Sequence, residues 1–114
     1  MEWLRAQWLA GKEIAYWGDL DTWGLLMLGR ARGYQPRVVP LLMGPEVFHA
    51  YAAGGAVPEP SPAGVVAPGG LTGEEEGLYF LLREAERGRL EQEFLPARVV
   101  GEAVVRWREG TRGD

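Results

Sequence analysis

Two short apolar runs, IAYW at residues 14–17 and RVVPLLM at 37–43, bracket a stretch with the apolar density of a packed helix. The first run holds a β-branched and two aromatic residues, as a strand buried on both faces does, and Gly18 ends it. Residues 22 to about 32 carry Trp23, Leu25, Leu26, Met27 and Leu28, apolar nearly all round, which suits a helix lying on a sheet. Gly24 and Gly29 each weaken that helix by roughly 1 kcal/mol relative to alanine, so close backbone approach is expected there in return. Pro40 places the second run at a strand end or a sheet edge, because proline brings no N–H to a ladder. Gly44 and Pro45 then open a second helix to about residue 53, Pro45 being suited to its first turn. Strand, helix, strand, helix is a βαβ unit with a right-handed parallel crossover. The expected fold class is α/β, a parallel sheet flanked by helices.

The rest of the chain supplies a long loop and two more helices. Residues 54–70 hold five Gly and four Pro, a composition that predicts a mobile surface insertion. Thr72 and Glu75 match a capping box, followed by Leu78, Leu81, Leu82 and Ala85 at helical spacing up to Gly88. Residues 89–94 (RLEQEF) read as a short strand or an extended connector. After Pro96, Val100, Ala103, Val104 and Trp107 repeat the helical spacing, with Glu102 and Arg106 placed to pair at i, i+4. Trp3, Leu4, Trp8 and Leu9 predict a short amphipathic helix before Gly11, and residues 110–114 are expected to fray. The whole of 1–114 reads as one domain.

Bulk properties exclude several classes. The net charge of −4 rules out a generally basic nucleic-acid coat, so contact with phosphates must be local or metal-bridged. Without cysteine there is no disulfide, thiolate catalysis or Cys-ligated metal site. His49 is the one histidine, which makes a zinc site improbable and a packed or surface role the better reading. The N-terminal stretch lacks the pattern of a signal peptide, and no segment is apolar for the roughly 20 residues that span a bilayer. A cytoplasmic protein with no membrane contact is expected. Eleven of the twelve basic residues are arginine, a bias that suggests a GC-rich genome.

Asp19 and Asp21 follow the first strand. Two residues apart, their carboxylates project to the same side of an extended chain, at the strand end where α/β sheets bind ligands. Such a pair can share one hard cation such as Mg²⁺, able to hold a phosphodiester. The same residues also suit a plain structural role, Asp21 as a helix N-cap and Asp19 as a solvated turn residue. A bare D-x-D leaves both readings open.

The segment YWGDLDTWG resembles the core of the Toprim domain at the C-terminus of the nuclease subunit of Wadjet-type plasmid-defence systems, related to topoisomerase VI A subunits. LTGEEEGLYFLLREAERGRLEQEFLP also resembles that family, with its LT, acidic helix start and R-L-E-Q-E motif. The resemblance implies a Toprim fold and metal-dependent DNA cleavage. It implies catalytic roles for Asp19, Asp21 and Glu93, metal ligation (Mg²⁺ or Mn²⁺) by Asp19, Asp21 and Glu91, and a phosphate contact by Arg89. Read as residues alone, Arg89, Glu91 and Glu93 equally suit a solvated connector. Toprim domains carry a further glutamate, in this family within an E-N motif upstream of the D-x-D. Neither Glu2 nor Glu13 matches it, and Gly44 stands where relatives are often acidic. The expectation is a Toprim-like domain truncated by its first strand–helix unit, weakly active or inactive alone, with DNA, other defence subunits and a second copy of itself as partners.

A haloacid-dehalogenase-like phosphatase also begins with D-x-D after an apolar strand, but it requires a downstream lysine and an acidic pair on a later strand; a receiver-like domain requires such a lysine too, and Lys12 lies upstream. The non-enzymatic alternative is an interaction module, since a sheet missing a unit exposes an edge that favours pairing or self-association. The five tryptophans (Trp3, Trp8, Trp17, Trp23, Trp107) could stack on bases, although their apolar surroundings favour core or interface packing.

Overall fold

A computed structural model describes residues 14–112. The expected helix around Trp3 to Leu9 lies outside them, as do Glu2 and Glu13. Strand β1 (Ala15–Tyr16) pairs in parallel with β2 (Val39–Pro40), in the register Ala15 to Val39 and Tyr16 to Pro40. The backbone N–H groups of Val39 and Leu41 donate to the carbonyls of Ile14 and Tyr16, at 2.9 and 2.8 Å. The intervening Pro40 has no N–H to give and needs none, since alternate residues of a strand face away from a given neighbour. Both strands are shorter than the apolar runs. Beyond β1 the ladder stops before Trp17, and beyond β2 Leu42 adopts a left-handed φ of 57° that ends the extended path.

Helix α1 (Thr22–Tyr34) connects the two strands. Its glycines do what their helix cost implied. A Cβ on Gly24 would collide with the Asp19 carbonyl oxygen, and one on Gly29 with that of Gly69. Helix α2 (Pro45–Gly55) starts behind an uncapped Gly44 with Pro45 in its first turn. Helix α3 (Gly73–Glu84) has the full capping box, Thr72 Oγ1 accepting from Glu75 N–H and the Glu75 carboxylate accepting from Thr72 N–H. It ends four residues before the Gly88 that was read as its stop. A 3₁₀ turn (Gln92–Phe94) precedes α4 (Ala97–Arg112), which runs past the expected fraying point at 110. On α4, Glu102 pairs with Arg98 at 3.3 Å, not with Arg106.

Leu25 and Leu28 of α1 are fully buried against Leu78, Tyr79 and Leu82 of α3 and Phe48 of α2, with Leu20, Val38, Met43 and Leu90 completing the core. Each such leucine contributes about 1.5–3 kcal/mol by leaving water. The glycine- and proline-rich segment is irregular beyond Gly55 but docked onto this core. Ala63 is buried, Tyr79 Oη donates to the Gly64 carbonyl at 2.5 Å, and Val57 exchanges two backbone hydrogen bonds with Arg89. Leu90 does the same with Leu20, so the 89–90 connector is bridged on both sides. Of the tryptophans expected in the core or at an interface, Trp17 and Trp23 are exposed, 36% and 47%, and so take no part in the core, Trp107 is half-buried, and Trp3 and Trp8 lie outside the described residues. His49 is a surface residue set edge-on to Phe48. No helix among the described residues is long and apolar enough to cross a membrane.

Candidate functional site

The two aspartates sit where β1 gives way to α1. Between them Leu20 is buried and tied to Leu90 by reciprocal hydrogen bonds of 2.9 and 3.0 Å. That tie fixes the backbone carrying both carboxylates. Asp21 is the N-cap of α1: its backbone is extended and its Oδ1 accepts from Gly24 N–H at 2.6 Å. This is worth about 1 kcal/mol to the helix. Gly24 is required here, because any side chain would push on the Asp19 carbonyl.

Arg89 joins the pair. Its Nη2 donates to Asp19 Oδ2 at 2.9 Å, and its Nε lies 3.6 Å from Asp21 Oδ2. Asp19 Oδ1 accepts from the backbone N–H of Gln92 at 2.9 Å. Both carboxylates therefore converge on one cation, a guanidinium. Asp19 and Arg89 are each about a third exposed, at 27% and 34%, so their pairing is screened and contributes at most about 1 kcal/mol. Asp21 is buried at 8%. Burial pushes its carboxyl above the ordinary range; the Gly24 N–H opposes this, Glu59 adds to it, Arg89 opposes it and Asp19 adds to it. The Tyr16 hydroxyl is raised by burial, then by the charges of Asp21 and Asp19. For Arg89 burial works against the charge, but the two aspartates outweigh it and hold the guanidinium firmly protonated. Its buried Nε has no hydrogen-bond acceptor.

A third carboxylate faces the same space. Glu59 accepts from Thr22 Oγ1 at 2.7 Å and from Thr22 N–H at 3.1 Å, occupying donors that the first turn of α1 leaves free. Thr22 Oγ1 in turn accepts from Ala63 N–H at 2.8 Å, and Trp23 Nε1 donates to the Ser61 carbonyl at 2.6 Å. Residues 59–63 thus form a strap across the start of α1. Together with Tyr16, Trp23, Asp19, Asp21 and Arg89 it lines an open cleft of about 450 Å³. Sequence reasoning missed Tyr16, Trp23 and Glu59. Glu59 lies 37 residues from its partner in a segment whose composition says only loop.

The site residues expected from the sequence divide. Asp19, Asp21 and Arg89 come together. Glu91 and Glu93 are exposed beside the 3₁₀ turn and do not line the cleft, although the Glu91 charge acts on Arg89. Among the described residues no group of three or more His, Cys, Asp or Glu side chains is arranged to hold an ion. The donor set nonetheless suits Mg²⁺, which takes one or two carboxylates and leaves its other positions to water and phosphate oxygens. Among the described residues no donor lies closer to Asp21 Oδ2 than the Arg89 Nε at 3.6 Å, so it is the carboxylate oxygen of the pair that accepts no hydrogen bond from them.

The model of the family described as Wadjet protein JetD, C-terminal, matches residues 1–104 of the chain. No curated protein matches it.

Proposed function

Because the chain belongs to the Wadjet JetD C-terminal family, which associates it with anti-plasmid defence, we propose that it is a Toprim-like domain whose cleft engages DNA through a divalent cation held by Asp19 and Asp21. The observation that carries this reading is the convergence of both carboxylates on a single cation, in an open cleft at the end of a parallel strand. When bound, Mg²⁺ or Mn²⁺ would supply Lewis-acid stabilisation of charge on a phosphodiester oxygen. The residues of the chain do the rest. Asp21 is oriented by the Gly24 N–H and Asp19 by the Gln92 N–H, so both are held before any ligand arrives. Arg89 neutralises the pair and is free to turn one N–H toward a phosphate. Glu93 and Glu91 lie outside the cleft and would act only after the 3₁₀ turn moves. With two convergent carboxylates the domain is weakly active or inactive alone, and other defence subunits, or a second copy, would complete it.

One observation favours the alternative, a non-catalytic interaction module: Asp19 and Asp21 already have structural work, tying Gln92 and Arg89 and capping α1. Calorimetric titration with Mn²⁺ and Mg²⁺ separates the two. Wild type should bind, and Asp19→Asn with Asp21→Asn should not, while asparagine keeps the helix cap. Supercoiled-plasmid nicking is followed in parallel. Equal heats from both proteins would eliminate the metal role and leave the structural one.

A further inference from the structure

Trp23 stands on the first turn of α1, almost half exposed, in the cleft that holds both aspartates and Arg89. Its ring is not loose. The indole N–H is fastened to the Ser61 carbonyl, and the strap bearing Ser61 is fixed on either side by Glu59 and Ala63 at Thr22. One edge of the ring is thereby held and its plane set, so little rotamer freedom remains to be lost when something lies against it. Met27, one turn further along α1, extends the apolar wall.

The same cleft is lined by Arg89 and the carboxylates. A flat apolar face beside a cation and hard oxygen donors matches the two ends of a nucleotide, a ring and a phosphate, and about 450 Å³ accommodates one. Charge narrows the choice. Asp19, Asp21 and Glu59 face the cleft, and Arg89 with a divalent cation on the aspartates would only offset their charge, leaving no net positive field to hold a duplex by its backbone alone. Affinity must then come from stacking. In an intact duplex both faces of a base are covered by its neighbours, so only an unpaired base can lie on an indole. Resting on the DNA reading above, we infer that Trp23 is the stacking platform for an unpaired DNA base whose phosphate lies toward Arg89.

The test is fluorescence anisotropy of the full chain with a short fluorescein-labelled oligothymidylate, a duplex of the same length, and that duplex carrying one bulged thymine. Ca²⁺ replaces Mg²⁺ to hold off cleavage. The oligothymidylate should bind more tightly than the duplex. Trp23→Leu should weaken it about tenfold, and Trp23→Tyr, which keeps a ring, should retain most of the affinity. Tight binding of the bulged duplex would assign the platform to a base extruded from a helix; tight binding of the free strand alone would assign it to single strands. Equal affinity in wild type and Trp23→Leu, a duplex bound as tightly as the strand, or no binding at all would overturn the inference. Mn²⁺ calorimetry on Trp23→Leu keeps the two readings apart. Retained metal binding with unchanged oligonucleotide affinity removes the platform alone, whereas absent metal binding in wild type removes the carboxylate reading.

Discussion

Gly24→Ala and Gly33→Ala are the same substitution in the same helix, and the structure gives them opposite signs. Helix propensity alone favours alanine at both by up to about 1 kcal/mol. Around Gly33 nothing lies within 4 Å of the added methyl, so that variant should gain most of this, a stabilisation of about 0.5–1 kcal/mol. At Gly24 the methyl meets the Asp19 carbonyl oxygen. That oxygen belongs to backbone pinned by the Leu20–Leu90 bridge and cannot swing aside as a side chain would. Overpacking costs about 1–3 kcal/mol, and so deep a clash with fixed backbone takes the upper part of that range, about 2–3 kcal/mol; less the propensity gain of about 1, the net loss is about 1–2 kcal/mol. Relief can come only from moving the turn that carries Asp19 and Asp21, so Gly24→Ala should also weaken Mn²⁺ binding, and Gly33→Ala should not. Urea unfolding monitored by tryptophan emission supplies the midpoints, with an unchanged slope confirming that stability is what moved. A Gly24→Ala protein as stable as Gly33→Ala would refute the argument that close backbone approach dictates this glycine.

Glu75 is buried with Arg32, and burial alone would raise its carboxyl, but the Arg32 hydrogen bond, the Thr72 N–H and the Arg32 charge outweigh it and hold it below the ordinary value. A depressed acid stabilises above its unfolded value of 4.5 and loses that contribution as pH falls through the folded value. Glu75→Gln should therefore cost about 2 kcal/mol at neutral pH, and thermal melts of variant and wild type should converge in acid. Asp21 has the opposite sign. Its raised carboxyl means that wild-type stability declines as pH rises from 3.8 through the folded value. Asp21→Asn, which keeps the cap, should gain on wild type across that window, whereas Asp21→Ala should fall about 1 kcal/mol below Asn in denaturant midpoint. Thr22→Val removes a buried hydroxyl that bonds both Glu59 and Ala63. A loss of about 2 kcal/mol is expected, with faster amide exchange at Ala63; unchanged exchange there would mean that the strap is held by other contacts.

What could be read in advance was whatever depends on neighbours in sequence. The βαβ order, the Thr72–Glu75 box, the Pro45 helix start and the tight glycines of α1 each rest on spacings of a few residues, and each is present. The D-x-D was legible for the same reason: two carboxylates and a helix cap lie within three positions. Long-range features were not. Nothing local says that Glu59 reaches Thr22 across 37 residues, or that residues 89–90 are bridged by Val57 on one side and Leu20 on the other. For the strap, proline and glycine specify irregular backbone but not which residues it touches. Periodicity alone does not place Trp23: an apolar residue in a helical run suits core or interface packing, and its position at the N-terminal turn keeps it out of the core and beside the cleft.

Capping α1 and binding a cation are not competing uses of Asp19 and Asp21. A cap occupies one oxygen of Asp21, and the Gln92 N–H one of Asp19, leaving each side chain its second oxygen and a fixed orientation. Ligating carboxylates are commonly held in just this way by donors behind them, because an unsupported side chain must lose its rotamer freedom when the ion arrives. The same bonds that make the aspartates structural therefore make them better ligands. What opposes an ion is Arg89, already seated on both outer oxygens. Exchange requires the guanidinium to find another anion, and under the proposed reading a DNA phosphate would be that anion. Metal and DNA should accordingly bind with positive coupling, each tightening the other by the same factor. Mn²⁺ titrations with and without a DNA oligonucleotide measure that factor, and Arg89→Ala should raise affinity for the metal alone while abolishing the coupling. A coupling factor of one in wild type would mean that Arg89 never leaves the aspartates.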